Sequence, residues 1–194
     1  MARRPAEPPG EVLDFWFGTL ERRGQPRPEW FRKDPAFDAE IRARFGATLE
    51  AAAARKLEAW RASAESILAL VVVLDQFSRN IHRGSARAFA QDAHARECAE
   101  EAIERGDDLG MLPVERQFLY LPFEHSERLA DQERALELFR TLEAFEPTHG
   151  LLTWAERHHA VVARFGRFPH RNALLGRAST PEEETFLAQP GSGF

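Results

Sequence analysis

Cysteine is all but missing from this chain of 194 residues: Cys98 stands alone, so no intramolecular disulfide can form. Such a chain suits a reducing compartment, and the expectation is the cytoplasm. Long apolar runs are missing too. ILALVVVL, residues 67–74, is too short to cross a bilayer, and the Pro-rich MARRPAEPPG is followed by no apolar stretch of signal-peptide length, so neither a membrane span nor export is expected. Nor is there surplus positive charge. Lys plus Arg (26) against Asp plus Glu (31) leaves a net charge of -5, which argues against a nucleic-acid surface. H-E-x-x-H, paired C-x-x-C, G-x-S-x-G, the P-loop and G-x-G-x-x-G are all absent. No metal site is expected, and the sequence names no cofactor.

What is present is core material. Hydrophobic residues make up 43% of the chain, charged residues 29%, and Phe (15) and Trp (4) supply bulk. That length and composition suit one helical domain over 1–194, with 1–10 as a lead-in and 189–194 as a tail. EVLDFWFG reads as a short helix stopped by Gly18, and Asp34-Pro35 as an N-cap and first-turn proline for a helix carrying Phe37, Ile41, Phe45 and Leu49 on one face. Residues 65–81 keep helical spacing through Ile67, Leu68, Val71, Leu74, Phe77 and Ile81, apolar nearly all round at first, as in a buried central helix. SARAFAQDAHARECAEEAIERG reads as one helix ended by Gly106, with Cys98 as a packing residue. Pro113 opens a helix that Pro122 is expected to break, and Ser126 or Asp131 is expected to cap the next. A helix over 151–165 stopped by Gly166 and a capping box at Thr180–Glu183 complete the set. No segment alternates with period two between hairpin turns, so the fold class is all-α, about eight helices packed as antiparallel pairs.

Three polar clusters end apolar segments. In DQFSRNIHRG, Asp75, Gln76, Arg79, Asn80 and Arg83 follow the apolar run ILALVVVL at the end of the central helix. Asp75 and Arg79 can pair, Asn80 can cap the helix end, and Arg79 with Arg83 offers two guanidinium forks to a phosphate or carboxylate. In LPFEHSE, His125 beside Glu124 and Glu127 has the makings of an acid–base group whose carboxylate neighbour raises its pKa. In FGRFPHRN, burial of Phe165 and Phe168 pins a tight turn bearing Arg167, His170, Arg171 and Asn172. His158, on the stripe from Trp154 to Phe165, reads as a core residue. FSRN and FPHRN echo one another, each closing a helical stretch with Arg-Asn.

VLDFWFG, WF-x-KD followed by FD, LDQFSRN-x-x-RG with AFA-x-D, LPFEHSE and FGRFPHRN-x-x-LGR, taken together over about residues 11–188, resemble the bacterial domain-of-unknown-function family 924. The resemblance implies a right-handed α-α superhelix similar to tetratricopeptide-repeat folds and implies no activity or substrate.

The expectation for function is a cleft that binds a small anionic ligand and can turn it over. Asp75, Gln76, Arg79, Asn80, Arg83, Arg167, Arg171 and Asn172 would hold the ligand, and His125, His170 and Glu124 would supply proton transfer. The alternative is a helical scaffold that takes a peptide or protein partner in a concave groove. A third reading is that the polar clusters only knit the helices together.

Overall fold

Capping chemistry written in the sequence sets several helix ends. In the computed structural model, which describes residues 5–19 and 21–193, α1 spans Pro9–Phe17 and stops at Gly18, whose φ of 87° is open to glycine. Two loop side chains satisfy its last carbonyls: Arg27 donates to the oxygens of Phe15 and Trp16 at 2.6 and 2.8 Å, and Trp30 Nε1 donates to Trp16 O at 2.9 Å. These bonds fold the loop back and hold Trp30 and Phe31 beside the middle of the molecule. The expected lead-in is partly structured, since α1 begins within it and Glu7 N donates to Thr48 Oγ1 at 2.9 Å. Residues 1–4 of that lead-in and Phe194 of the tail lie outside the described residues.

Helix α2 (Pro35–Ala53) starts as the sequence indicates, with Asp34 accepting from Ala36 N and Phe37 N. The next rod combines α3 (Ala64–Val72), a π turn (Val73–Phe77) and α4 (Ser78–Ile81). Every residue from Ile67 to Ser78 is buried. Helix α3 packs against α1, α5 and α6, while the π turn and α4 lie on α2. Helix α5 (Asp92–Glu104) is shorter than expected: the stretch before it forms a separate 3-10 turn at Ala86–Phe89. The break between them turns Phe89 and Asp92 toward α4.

Helix α6 runs Pro113–Glu124 with Pro122 inside it. The expected break does not occur, because the proline sits in the last turn, where its missing N–H removes one backbone bond and the helix ends two residues later anyway. Helix α7 (Leu129–Arg140) also departs from expectation, since neither Ser126 nor Asp131 is its N-cap; Ser126 accepts from Arg128 N at 3.2 Å and donates to Asp131 at 2.6 Å instead. Helix α8 (Leu151–Phe165) ends at Gly166, and α9 (Pro181–Leu187) begins with the anticipated capping box. Among the described residues there is no strand; with α3 and α4 taken as one rod, there are eight helices. The fold is all-α. Neighbours in sequence are neighbours in space for α6, α7 and α8.

An aromatic cluster fills the space between α1, α2, the π turn and α6. The Trp16 ring meets Phe77 at 5.6 Å and Phe118 at 5.4 Å, both near edge-on, and Trp30 meets Phe118 at 4.7 Å. Each fully buried ring of this kind contributes roughly 1.5–3 kcal/mol by removal from water. Val161, Val162 and Phe168 form a smaller cluster under α8. Among the described residues, no helix is long and apolar enough to cross a membrane.

Candidate functional site

The π turn carries the centre of the site. A π turn winds an extra residue into a helix and recurs at functional positions. Here it contains Asp75, fully buried, and Gln76, nearly so. Three groups meet the Asp75 carboxylate: His125 Nδ1 at 2.8 Å, Gln76 Nε2 at 2.6 Å and the Arg79 guanidinium at 2.9 Å. Burial alone would raise the Asp75 pKa, but Arg79 and His125 outweigh it and hold the group at about 2. An ionised Asp75 accepts a hydrogen bond, so the proton of neutral His125 sits on Nδ1 and its Nε2 is the basic nitrogen. Burial and the charge of Arg79 push the His125 pKa below the usual histidine value despite Asp75. Two expectations are thereby corrected: the carboxylate that orients His125 comes from the central rod rather than from Glu124 or Glu127, and the net shift is downward.

Arg79 also reaches the first turn of α5, donating to both oxygens of Asp92 at 2.9 and 3.1 Å. The same carboxylate touches Arg171 at 3.4 Å. The two arginines of the FSRN and FPHRN echo therefore converge on one aspartate. The Arg171 guanidinium lies between two rings, 4.6 Å from the Phe89 centroid and 4.4 Å from that of Phe168. It is only 6% exposed, its Nε has no hydrogen-bond partner, and burial lowers its pKa to about 10.

These groups open on a recess of about 340 Å³. Gln76, Arg79, Asn80, Arg83, His125, His170 and Arg171 line it, together with the rings of Trp30, Phe31, Phe89 and His158. Side chains from the early, middle and late thirds of the chain thus share one wall. Burial, with the neighbouring charge of Arg171, holds His170 down to about 4, so it is neutral near pH 7.

Other expected site residues serve the scaffold. Arg83 gives its fork to Asp38 at 2.6 and 2.9 Å, and Asn80 donates to the same carboxylate at 2.8 Å instead of capping α4. The guanidinium that comes beside Arg79 is accordingly that of Arg171, at Asp92, rather than that of Arg83. Arg167 pairs with Glu183 at 2.6 and 2.7 Å, and Asn172 donates to Ser179 at 3.0 Å and Glu183 at 3.3 Å; both fasten α9 and neither lines the recess. Glu127 accepts from Phe168 N at 2.8 Å and from Arg177 at 2.7 and 2.9 Å, which ties the LPFEHSE segment to the FPHR turn.

Glu124 lies on the far side of His125, in an adjoining chamber of about 250 Å³. Its carboxyl approaches His158 Nδ1 at 3.1 Å. Burial, reinforced by the charge of Asp75, raises its pKa to about 8, so it is protonated at neutral pH. His158 donates through Nδ1 to Trp154 O at 2.9 Å, and burial lowers its pKa to about 3. It is a buried residue as expected, but its ring forms part of the wall of both chambers.

The model of the family described as bacterial protein of unknown function (DUF924) matches residues 12–191. The chain belongs to that family. A solved structure is similar over nearly the whole chain: the protein of unknown function ATU0120 from Agrobacterium tumefaciens is 45% identical, with 93% of this chain and 96% of that chain covered and a TM-score of 0.82. No curated protein matches. Among the described residues of this DUF924 chain, no three His, Cys, Asp or Glu side chains are grouped to hold a metal ion.

Sequence reasoning missed Asp92, Phe89 and the wall residues Trp30 and Phe31. Asp92 falls inside the single helix expected from residue 85, so no helix-end signal singled it out. Trp30 with Phe31 and Phe89 with Asp92 do stand in the WF-x-KD and AFA-x-D motifs that carry the family resemblance, but those motifs gave them no role in the cleft.

Proposed function

We propose that the recess binds a small anionic ligand, a carboxylate or phosphate, and that His125 exchanges a proton with it. One observation carries the reading. Arg171 is a buried guanidinium whose nearest carboxylate gives its shorter bonds to Arg79 and whose Nε meets no acceptor, and buried donors left so are costly unless a ligand oxygen completes them. The volume of about 340 Å³ is within the usual range for small-molecule sites, roughly 300–1,000 Å³. Stacking of Arg171 on Phe89 and Phe168 fixes the plane of its donors, which favours a planar or tetrahedral oxyanion over a point charge. The Asp75–His125 pair adds an oriented base on the same wall, the arrangement used for proton abstraction or transfer.

Peptide binding would call for an extended apolar furrow, whereas the polar groups here converge on a compact recess. The network reading accounts for Asn80, Arg83, Arg167 and Asn172, which are held by Asp38 and Glu183. It does not account for Arg171.

The test is a thermal-shift screen of phosphorylated and carboxylated metabolites. A ligand at a hundredfold its Kd adds about 2.7 kcal/mol, on the order of 5 °C in Tm for a chain of this size. The expected result is a shift for the wild type that Arg171→Met abolishes. Shifts of equal size in both proteins would place the anion elsewhere.

A further inference from the structure

The chamber next to the recess has a different chemistry. Phe31, His125 and His158 belong to the walls of both, so the two volumes adjoin across these rings. Beyond them the second chamber is built from Leu121, Phe139, Leu151 and Trp154. Among the described residues, Phe31 at 65% and Trp154 at 50% are the most exposed aromatic side chains, and both stand on this chamber. Apolar surface left open to water at the edge of a polar site marks a place where apolar matter is meant to sit.

One polar group breaks the apolar wall. Gln117 is 4% exposed, faces the chamber, and its amide makes no hydrogen bond with any described residue. Its amide is not sealed in the core but opens on the chamber, where the polar atom of a bound molecule can bond it. Beside it, Glu124 is neutral near pH 7 and can donate a hydrogen bond. The chamber therefore carries no charge that would repel hydrocarbon, yet offers a donor and an amide to one polar atom.

We infer that the ligand is amphipathic: its anionic head meets Arg171 and Arg79, and its apolar body, bearing one carbonyl or hydroxyl oxygen, fills the second chamber between Leu121, Phe139, Leu151 and Gln117. This rests on the reading of the first recess as an anion site, and it narrows the substrate class to acids with a medium-length aliphatic or aromatic body. Bare phosphate and short carboxylates would occupy only half of the site.

The experiment measures Kd for straight-chain monocarboxylates from acetate to decanoate by calorimetry on the full chain. Affinity should rise about fourfold per methylene until the chamber is full. Leu151→Trp, which narrows the chamber, should flatten that rise and leave acetate unaffected. An acid with a mid-chain hydroxyl should outbind the plain acid of equal length, and Gln117→Leu should reverse that order. Equal affinity for acetate and decanoate, or a rise undiminished in Leu151→Trp, would overturn the inference while leaving the anion site standing. Failure of every acid and of phosphate to bind would remove both.

Discussion

Asp75 and Glu124 are two buried carboxyl groups on either side of His125, and their surroundings drive them to opposite protonation states. Asp75 is held ionised by Arg79 and His125, whereas Glu124 has no cation against it and is held neutral by burial. The consequences for stability differ in sign. A carboxyl whose folded pKa, about 8, exceeds its ordinary value of 4.5 keeps its proton in the native state while the unfolded chain loses it. Stability from this group is present below pH 4.5 and is lost as pH rises through about 8. Glu124→Gln should therefore gain stability over wild type at pH 8 by up to about 4 kcal/mol and little at pH 4.5, measured by urea denaturation at the two values. A gain that does not depend on pH would show Glu124 to be ionised in the native state. Asp75→Asn leaves Arg79 without one of its two carboxylates and should cost about 3–5 kcal/mol. It should also free the His125 ring to change tautomer, which nitrogen-15 NMR of the imidazole would detect. The sequence made both carboxyl groups visible but not their roles, because the partner of His125 lies 50 positions away in the chain and only the folded structure sets that pairing.

At the level of elements, end signals were legible and irregularities inside helices were not. Gly18, Gly166, Asp34-Pro35 and the Thr180–Glu183 box act where the sequence says they should, since capping is decided within a few residues. The π turn at Val73–Phe77 and the break before Asp92 left no trace in spacing, because both are imposed by what packs around them. Pro122 misled for a related reason: a proline in a last turn costs too little to overrule the burial of the residues around it. The capping box of α9 has a consequence for the site. Glu183 accepts from Thr180 N and at the same time holds Arg167 and Asn172, so α9 is the anchor of the turn that presents His170 and Arg171. Thr180→Ala should cost about 1 kcal/mol and act locally. Hydrogen exchange should speed up in α9 and at residues 168–172 with α3 and α6 unchanged; uniform acceleration throughout the chain would show that α9 unfolds only with the whole.

Taken whole, the molecule carries a net charge of -5, so long-range steering repels the class of ligand proposed for its recess. Discrimination must come from the site itself. There, Arg79 and Arg171 face Asp75 and Asp92, two cations against two anions, while His125 and His170 are held neutral. A monoanionic ligand tips that balance negative, and the cheapest correction is a proton taken up by the imidazole beside it. Binding should therefore raise the His125 pKa from its depressed value, and by linkage affinity should fall as pH rises from the free-protein value through that of the complex. Calorimetry of one carboxylate ligand in two buffers of unlike ionisation enthalpy, repeated between pH 5 and 8, would read the proton uptake directly. His125→Gln keeps a ring-sized polar group but cannot become a cation, so its uptake should vanish and its affinity should lose most of the pH dependence. If wild type and His125→Gln take up the same number of protons, the charge correction occurs elsewhere and His125 does not face the anion.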